Sequence, residues 1–398
     1  NFKGAVEPFL QDEMSAENEF QIQSVLNSLW STIRQAIATS RNLNEDAVDS
    51  IAETLGASLP EEALSQKLID GLNYENEVED KIRDRLSLKL DQEINWVSPQ
   101  QMARTIPTYN KKIKDRIAII FANGNILYGE GSNTYIAQGK FVEAIDDAAT
   151  DERVKAIVLR INSPGGSALT SEIIWQALER AKYKKPLIVS IGNIAASGGY
   201  YLAAPAHQIF ADPLSITGSI GVFAILPNVY QLSENIGINA DQVQTHTNAA
   251  GYSSFEPLSD NFRTYVKKNI RKIYSTFKER VAAGRNLSLE KVENLAQGRV
   301  WSGKEALANG LVDALGGLEE AIAAAASQAN LEEYNRIAYP LLDQDLESII
   351  NQMIPTTKYE GLSKILSLFG IEQTFNYQPQ KPISNSFKTQ LPFSLKIE

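Results

Sequence analysis

Apolar residues at Phe20, Ile22, Val25, Leu26, Leu29 and Ile33 recur at close to helical spacing and predict one long amphipathic helix over Glu17–Ala38. The rest of the first 108 residues also reads as helix-rich. Pro107 and the basic run Lys111-Lys112-Ile113-Lys114 mark a junction, and beyond it the pattern changes. Short runs at Ile117–Phe121, Ala156–Ile161, Leu187–Ile191 and Gln208–Ala211 read as buried strands. Helical stretches fall between them at Phe141–Ala149, Thr170–Ala181 and Ser197–Ala204. Two long helices follow, at about Asp260–Ala283 and Leu318–Ala329. Strands alternating with helices predict an α/β fold with crossover connections. From about Thr356 the chain turns polar and proline-containing, which predicts an irregular extension.

The chain also resembles itself. Ser40-Arg41-Asn42-Leu43 returns as Gly284-Arg285-Asn286-Leu287, and Lys67-Leu68-Ile69-Asp70-Gly71 as Gly310-Leu311-Val312-Asp313-Ala314. Upstream, Val6-Glu7-Pro8 answers Phe255-Glu256-Pro257, with a five-residue gap before Ser15 and Ser259 realign. Downstream, Glu93-Ile94-Asn95-Trp96 has a faint echo in Asn335-Arg336-Ile337-Ala338. Matches in one order at nearly one offset, about 244 residues, indicate duplication. On that reading residues 1–110 are the end of a first copy, 111–352 a complete second copy, and 353–398 an extension. The chain begins with Asn1 and shows no signal-peptide pattern, so a fragment or processed product is expected.

Composition narrows the chemistry. With 398 residues, 43% hydrophobic and 22% charged, the chain is globular and too long for one ordinary core. A balance of 38 basic against 48 acidic residues, net −10, argues against a nucleic-acid surface. No apolar run approaches the ~18–20 residues that span a bilayer. The absence of cysteine excludes disulfides, thiolate zinc sites and a cysteine nucleophile. His207 and His246 are the only histidines, which leaves little room for a histidine-rich metal site or a histidine-based triad. No metal or organic cofactor is implied.

Two glycine-rich turns each follow a predicted strand: Asn162-Ser163-Pro164-Gly165-Gly166-Ser167 and Ala195-Ala196-Ser197-Gly198-Gly199-Tyr200. Small residues let the backbone turn sharply and approach a bound group. Ser197 stands at the entrance of a predicted helix, where it reads either as an N-cap or as a nucleophile beside N–H groups able to receive an oxyanion. Phosphate loops look similar, but no Gly-x-x-x-x-Gly-Lys-Ser run is present. Elsewhere His207 reads as a helix-end residue and Asp212-Pro213 as a turn. Glu172, Asp146 and Asp147 read as solvated helix positions, and Tyr200 and Tyr201 as packing residues.

Taken in order, Ser163-Pro164-Gly165-Gly166-Ser167, then Ala195-Ala196-Ser197-Gly198-Gly199-Tyr200, then Thr217-Gly218-Ser219-Ile220-Gly221, the chain resembles the signal peptide peptidase A family, serine peptidase family S49. Gln297-Gly298-Arg299-Val300-Trp301-Ser302-Gly303 extends the likeness, and the duplication matches the family's long two-repeat form. The resemblance implies a crotonase- and Clp-protease-like α/β fold, a tandem repeat with the second copy complete and the first partial. It also implies a serine endopeptidase with a Ser–Lys dyad that degrades signal peptides and other hydrophobic peptides. Ser197 then carries over as nucleophile. Lys3, in Phe2-Lys3-Gly4-Ala5-Val6-Glu7-Pro8-Phe9, carries over as general base, and Ser219 as an assisting residue. Gly198 and one of Gly165 and Gly166 would hold the oxyanion. A tetramer-like ring of copies, an anchor upstream of Asn1 and a place at the bacterial cell membrane belong to the same expectation.

The dyad is chemically sensible. A serine hydroxyl needs a base, histidine is scarce, and lysine serves if burial brings its pKa well below ~10.4. Phe2, Ala5, Val6 and Phe9 are apolar enough to bury Lys3, although its place near the first residue favours fraying. A crotonase-like acyl-CoA enzyme with a carboxylate base, or a non-catalytic scaffold, would share the fold.

Overall fold

Five helices lead the chain: α1 (Ala16–Arg41), α2 (Glu45–Glu53), α3 (Pro60–Ser65), α4 (Glu75–Arg85) and α5 (Pro99–Thr105). An alternating α/β region follows with β1 (Arg116–Asn123), β2 (Asn125–Ile126), β3 (Tyr135–Ile136), α6 (Gln138–Thr150), β4 (Val154–Ser163), β5 (Gly166–Ser167) and α7 (Ala168–Lys182). Next come β6 (Leu187–Ala196), α8 (Gly198–Ala203), β7 (Gln208–Ala211), β8 (Ile216–Gly218), α9 (Tyr230–Asn235), α10 (Asp260–Arg285) and α11 (Leu289–Leu295). The remainder is β9 (Val300–Ser302), α12 (Gly303–Asn309), β10 (Ala314–Leu315), α13 (Leu318–Gln328), β11 (Asn335–Tyr339) and β12 (Lys388–Thr389). The structure, a computed structural model, describes residues 2–4, 7, 10–105, 109–132, 134–249, 251–339 and 388–389. Most of the predicted extension, 353–398, lies outside them.

An eight-stranded sheet in the order β10-β7-β6-β4-β1-β11 forms the frame, with β8 paired to the end of β6 and β9 to β8. Its ladders are parallel except β8–β9. The strands are buried on both faces, as parallel crossovers require. Ile117 and Ile119 of β1, with Ala156 and Val158 of β4, pack on Ala321, Ile322 and Ala325 of α13. The alternate residues, Ala118, Ile120, Ile157 and Leu159, face Ile145 of α6, Ile174 of α7 and Phe277 of α10. The expected strands and helices are all present, so the chain is a mixed α/β protein with a parallel-rich sheet.

The helical lead is not a separate body. Val25 and Leu29 of α1 pack on Ile216 of β8 and Val300 of β9. Ser24 donates to Glu305 of α12 (2.8 Å), and the hydroxyls of Ser28 and Ser302 meet at 2.6 Å. Helix α1 thus lies against the antiparallel β8–β9 pair next to the predicted nucleophile turn.

Local contacts recur at the spacing of the sequence matches. Helices α1 and α10 are each 26 residues long, start on a serine cap (Ser15, Ser259) and end at a left-handed asparagine (Asn42, φ 51°; Asn286, φ 50°). Arg41 pairs with Asp70, and Arg285 with Asp313. Glu62 accepts from the Leu59 N–H at 3.1 Å, and Glu305 from the Ser302 N–H at 2.9 Å. One difference stands out. Helix α13 buries Ala321, Ile322 and Ala325 under the sheet, whereas α4, at the corresponding place, buries no residue. Likewise Asn335–Tyr339 is a strand because β1 lies beside it. Its echo at 93–96 forms no strand, since none lies beside it among the described residues, and Trp96 is exposed.

Candidate active site

Strand β6 runs past its predicted end at Ile191 to Ala196, because its last residues find a second neighbour: Ala195 pairs with Thr217 and Ala196 with Gly218 of β8. That register places the residues after the two strands, Ser197 and Ser219, side by side. Thr217 Oγ1 donates to the Ala195 carbonyl (2.7 Å) and Ser215 Oγ to the Gly192 carbonyl (2.5 Å), so side chains fasten the ladder as well.

Ser197 adopts φ 55° and ψ −117°, a backbone conformation that costs a non-glycine residue energy and that recurs at functional sites. It sits at the N-cap of α8, yet its side chain makes no capping hydrogen bond. The hydroxyl is turned elsewhere. Its backbone is held on both sides, with its N–H donating to Gly218 (2.8 Å) and its carbonyl accepting from Tyr201 (2.9 Å). The capping alternative raised by the sequence is therefore set aside by the geometry.

The hydroxyl meets a lysine. Lys3 Nζ lies 3.0 Å from Ser197 Oγ, 3.0 Å from Ser219 Oγ and 3.3 Å from the Ser219 carbonyl. Burial lowers the lysine pKa from its ordinary 10.5 to about 7. A neutral amine has two hydrogens and one lone pair. Ser219 offers acceptors for the hydrogens, and the lone pair is then free to take the Ser197 proton. The residue before the lysine is tied on both sides: Phe2 N–H donates to Gln297 (3.0 Å) and its carbonyl accepts from Gln21 (2.8 Å).

The lysine stem lies on glycine. Gly298 has φ 85°, and a Cβ there would stand 2.6 Å from Lys3 Cβ and 2.9 Å from its Cα. The Phe223 ring adds an apolar wall, its centroid 5.8 Å from Nζ. Of the four neighbours expected to desolvate the lysine, Phe2 lies within the described residues, while Ala5, Val6 and Phe9 lie outside them.

The first glycine turn closes the other side. Gly199 comes so near the turn that a Cβ would stand 2.6 Å from the Ser163 carbonyl. The Gly165 N–H donates to Ser163 Oγ (3.2 Å), and Gly166 pairs with Ile126 of β2 and Thr389 of β12. The Gly198 N–H, the first of α8, has no partner among the described residues.

Other residues raised by the sequence are structural. His207 Nδ1 accepts from the Leu187 N–H (3.0 Å) at the start of β6, and His246 is exposed beside Thr245. Asp212 forms the expected turn, accepting from Leu214 and Ser215. Tyr200 is buried, with its hydroxyl donating to the Leu311 carbonyl (2.7 Å). Glu172 is a correction: rather than a solvated position, it ties α8 to α10, accepting from Tyr201 and pairing with Arg280 at 2.6 Å. Sequence missed it because partners on two distant helices leave no local trace. Among the described residues no group of His, Asp and Glu is placed to hold a metal, and no helix is long and apolar enough to cross a membrane.

The buried amine carries a stability consequence. Its folded pKa lies below its unfolded value, so between pH 7 and 10.5 the unfolded chain binds more protons and stability rises with pH. The stabilisation is complete above pH 10.5 and lost as pH falls through 7. Lys3→Met removes that liability. Thermal melting should show the variant more stable than wild type at pH 6, with the difference vanishing by pH 10.5.

A serine in a strained strand-to-helix turn, a buried lysine and a parallel α/β frame define a hydrolase-like site, and comparison places the chain in a family. The model of peptidase family S49 matches residues 1–89 and 179–332, and the chain belongs to that family. It is 34% identical to Protease 4 of Salmonella typhi over 375 residues, covering 89% of this chain and 59% of that protein. It is 32% identical to Protease 4 of Haemophilus influenzae, covering 93% and 62%. It is 30% identical to the chloroplastic serine protease SPPA of Arabidopsis thaliana, covering 83% and 50%. The chain thus spans about three fifths of the length of the two bacterial relatives.

Proposed function

We propose that the chain is the catalytic portion of a serine endopeptidase that works with a Ser197–Lys3 dyad. The observation that carries the reading is the 3.0 Å approach of Lys3 Nζ to Ser197 Oγ, with burial holding the amine near neutrality. Neutral Lys3 takes the Ser197 proton as Oγ attacks a peptide carbonyl. The oxyanion forms beside the Gly198 N–H, with the Gly165–Gly166 turn as the facing wall. The lysine ammonium returns its proton to the leaving amine. A water then gives a proton to Lys3 as it attacks the acyl-enzyme, and the ammonium passes that proton to Ser197 Oγ as the acyl–oxygen bond breaks and the acid product leaves. Ser219 keeps the amine oriented through both half-reactions.

Peptide is the favoured substrate class. The β5 edge beside the site already takes an extended backbone, β12, in antiparallel pairing, which is how a sheet edge receives a peptide. No carboxylate hydrogen-bonds Ser197 or Lys3 among the described residues, so the acyl-CoA alternative lacks its base there. Hydrophobic peptides, signal peptides among them, attachment to the bacterial membrane and a ring of copies rest on the likeness to the family. The recurring caps and ion pairs of α1–α3 and α10–α12 support a crotonase-like tandem repeat. The uncovered face of α4 supports a first copy present only in part.

The test is turnover of a hydrophobic reporter peptide beside an acyl-CoA thioester. Peptide cleavage with no thioester hydrolysis is expected. Thioester turnover without peptide cleavage would overturn the proposal.

A further inference from the structure

Gln21 is polar, lies in the second turn of α1, and is completely buried. Every polar group of its side chain is used. Its Nε2 donates to the Phe2 carbonyl (2.8 Å) and to Asn18 Oδ1 (2.7 Å). Its Oε1 accepts from the Val300 N–H (3.3 Å). A buried amide is costly unless satisfied, and one satisfied on three sides holds its partners in a single arrangement.

Those partners are the neighbours of the reacting groups. Phe2 precedes Lys3. Val300 pairs with Gly218, and the residue before it, Arg299, accepts from the Ser219 N–H at 2.7 Å. Asn18, in turn, receives Gln21 and donates to Glu7 Oε2 (2.9 Å), and the other carboxylate oxygen, Oε1, takes the Ser15 hydroxyl. Gly4 lies flat on Asn18, where a Cβ would stand 2.6 Å from Nδ2. The segment carrying Lys3 therefore rests on α1, and α1 rests on the β8–β9 strand pair that Ser219 follows.

We propose that Gln21 is a positioning residue for the Lys3–Ser197 pair, its buried amide fastening the lysine segment to the β8–β9 strand pair. The inference rests on the Ser–Lys reading above. Gln21 touches neither hydroxyl nor amine. It acts by holding Phe2, and so keeps Nζ between the two serines and away from water. The charged groups facing this region are Arg299, 5.5 Å from the Phe2 ring, Glu7 in the Asn18–Ser15 network, and Glu305, which accepts from Ser24 of α1 at 2.8 Å. Burial alone shifts the lysine, so loosening the segment returns its pKa toward the ordinary value.

The experiment measures reporter-peptide hydrolysis from pH 5 to 10 by the whole protein, with Gln21→Met, Gln21→Glu and Lys3→Ala beside wild type. Gln21→Met keeps the length and removes every hydrogen bond. Its kcat midpoint should rise by about one pH unit or more, giving a loss of about tenfold at pH 6 with KM little changed. Above pH 9.5 kcat should return to within about threefold of wild type. Gln21→Glu cannot donate to Phe2 and adds a carboxylate that favours the ammonium, so it should shift further in the same direction. A loss equal at every pH, or an unmoved midpoint, overturns the proposal. If Gln21→Met shows no cooperative melt, Gln21→Glu decides by the same outcomes, and loss of both folds makes Gln21 a folding residue only. Activity surviving in Lys3→Ala would instead overturn the Ser–Lys reading.

Discussion

Ser197→Ala and Lys3→Ala should each lower peptide cleavage by at least ~1,000-fold while leaving the melting transition in place, and the double variant should be no worse than either alone. Nucleophile and base act as one unit, so losing either removes nearly the whole of what both supply. The expectation rests on one approach: Lys3 Nζ lies 3.0 Å from Ser197 Oγ, and no second base contacts that hydroxyl among the described residues. Lys3→Arg should fail as completely. A guanidinium stays charged at any usable pH and cannot accept the serine proton. Neither substitution touches the sheet, whose buried faces carry the fold. Steady-state hydrolysis with thermal melting of the four variants checks this. Lys3→Ala with more than about a tenth of wild-type activity would be incompatible with the dyad.

Gly298→Ala should be nearly as damaging although it removes no functional group. Its Cβ would stand 2.6 Å from Lys3 Cβ, 2.8 Å from Cδ and 2.9 Å from Cα, and φ 85° disfavours a side chain there in any case. Because one contact is to lysine backbone, a rotamer change cannot relieve it. The segment must lift, which moves the amine from Ser197 and readmits water. We expect kcat at pH 7 to fall by about 100-fold or more, a typical penalty for an ångström of misplacement. Activity measured with melting separates this from unfolding. A Gly298→Ala protein with wild-type kcat would show that the lysine stem does not need its glycine bed.

Much of this arrangement is visible in the residues, for uneven reasons. The strands Ile117–Phe121 and Ala156–Ile161 are plain because burial on both faces leaves continuous apolar runs. Helix α1 is plain because its apolar positions fall at helical spacing, although Phe20, Leu26 and Ile33 are exposed, and the caps and ion pairs it shares with α10 are plain because those residues are local. Ser197 stands out only in company with the other glycine turn. Lys3 carries no local signal at all: a lysine near the first residue reads as solvated, and family likeness alone singles it out. The strand Ile216–Gly218 is three residues long, too short for an alternating pattern, so the register that sets Ser219 beside Ser197 is invisible before folding. Gln21 fails for the opposite reason. A polar residue on an amphipathic helix reads as outward-facing, and only the docking of α1 on Val300 and Phe2 turns it inward. The exposed 93–96 segment shows the same dependence, since the sequence that echoes β11 becomes a strand only where β1 lies alongside it.

The central claim is that Lys3 is the base for Ser197. Its most direct test is the rate at which a fluorophosphonate probe phosphonylates Ser197, with loss of fluoride, followed by mass spectrometry of the labelled peptide from pH 5 to 10. Burial places the lysine near 7, so the rate should climb through a midpoint close to pH 7 and level off above it. In Lys3→Ala that rise should disappear together with nearly all labelling. Labelling of a different serine, or labelling of Ser197 in Lys3→Ala at the wild-type rate and with the wild-type midpoint, would contradict the account.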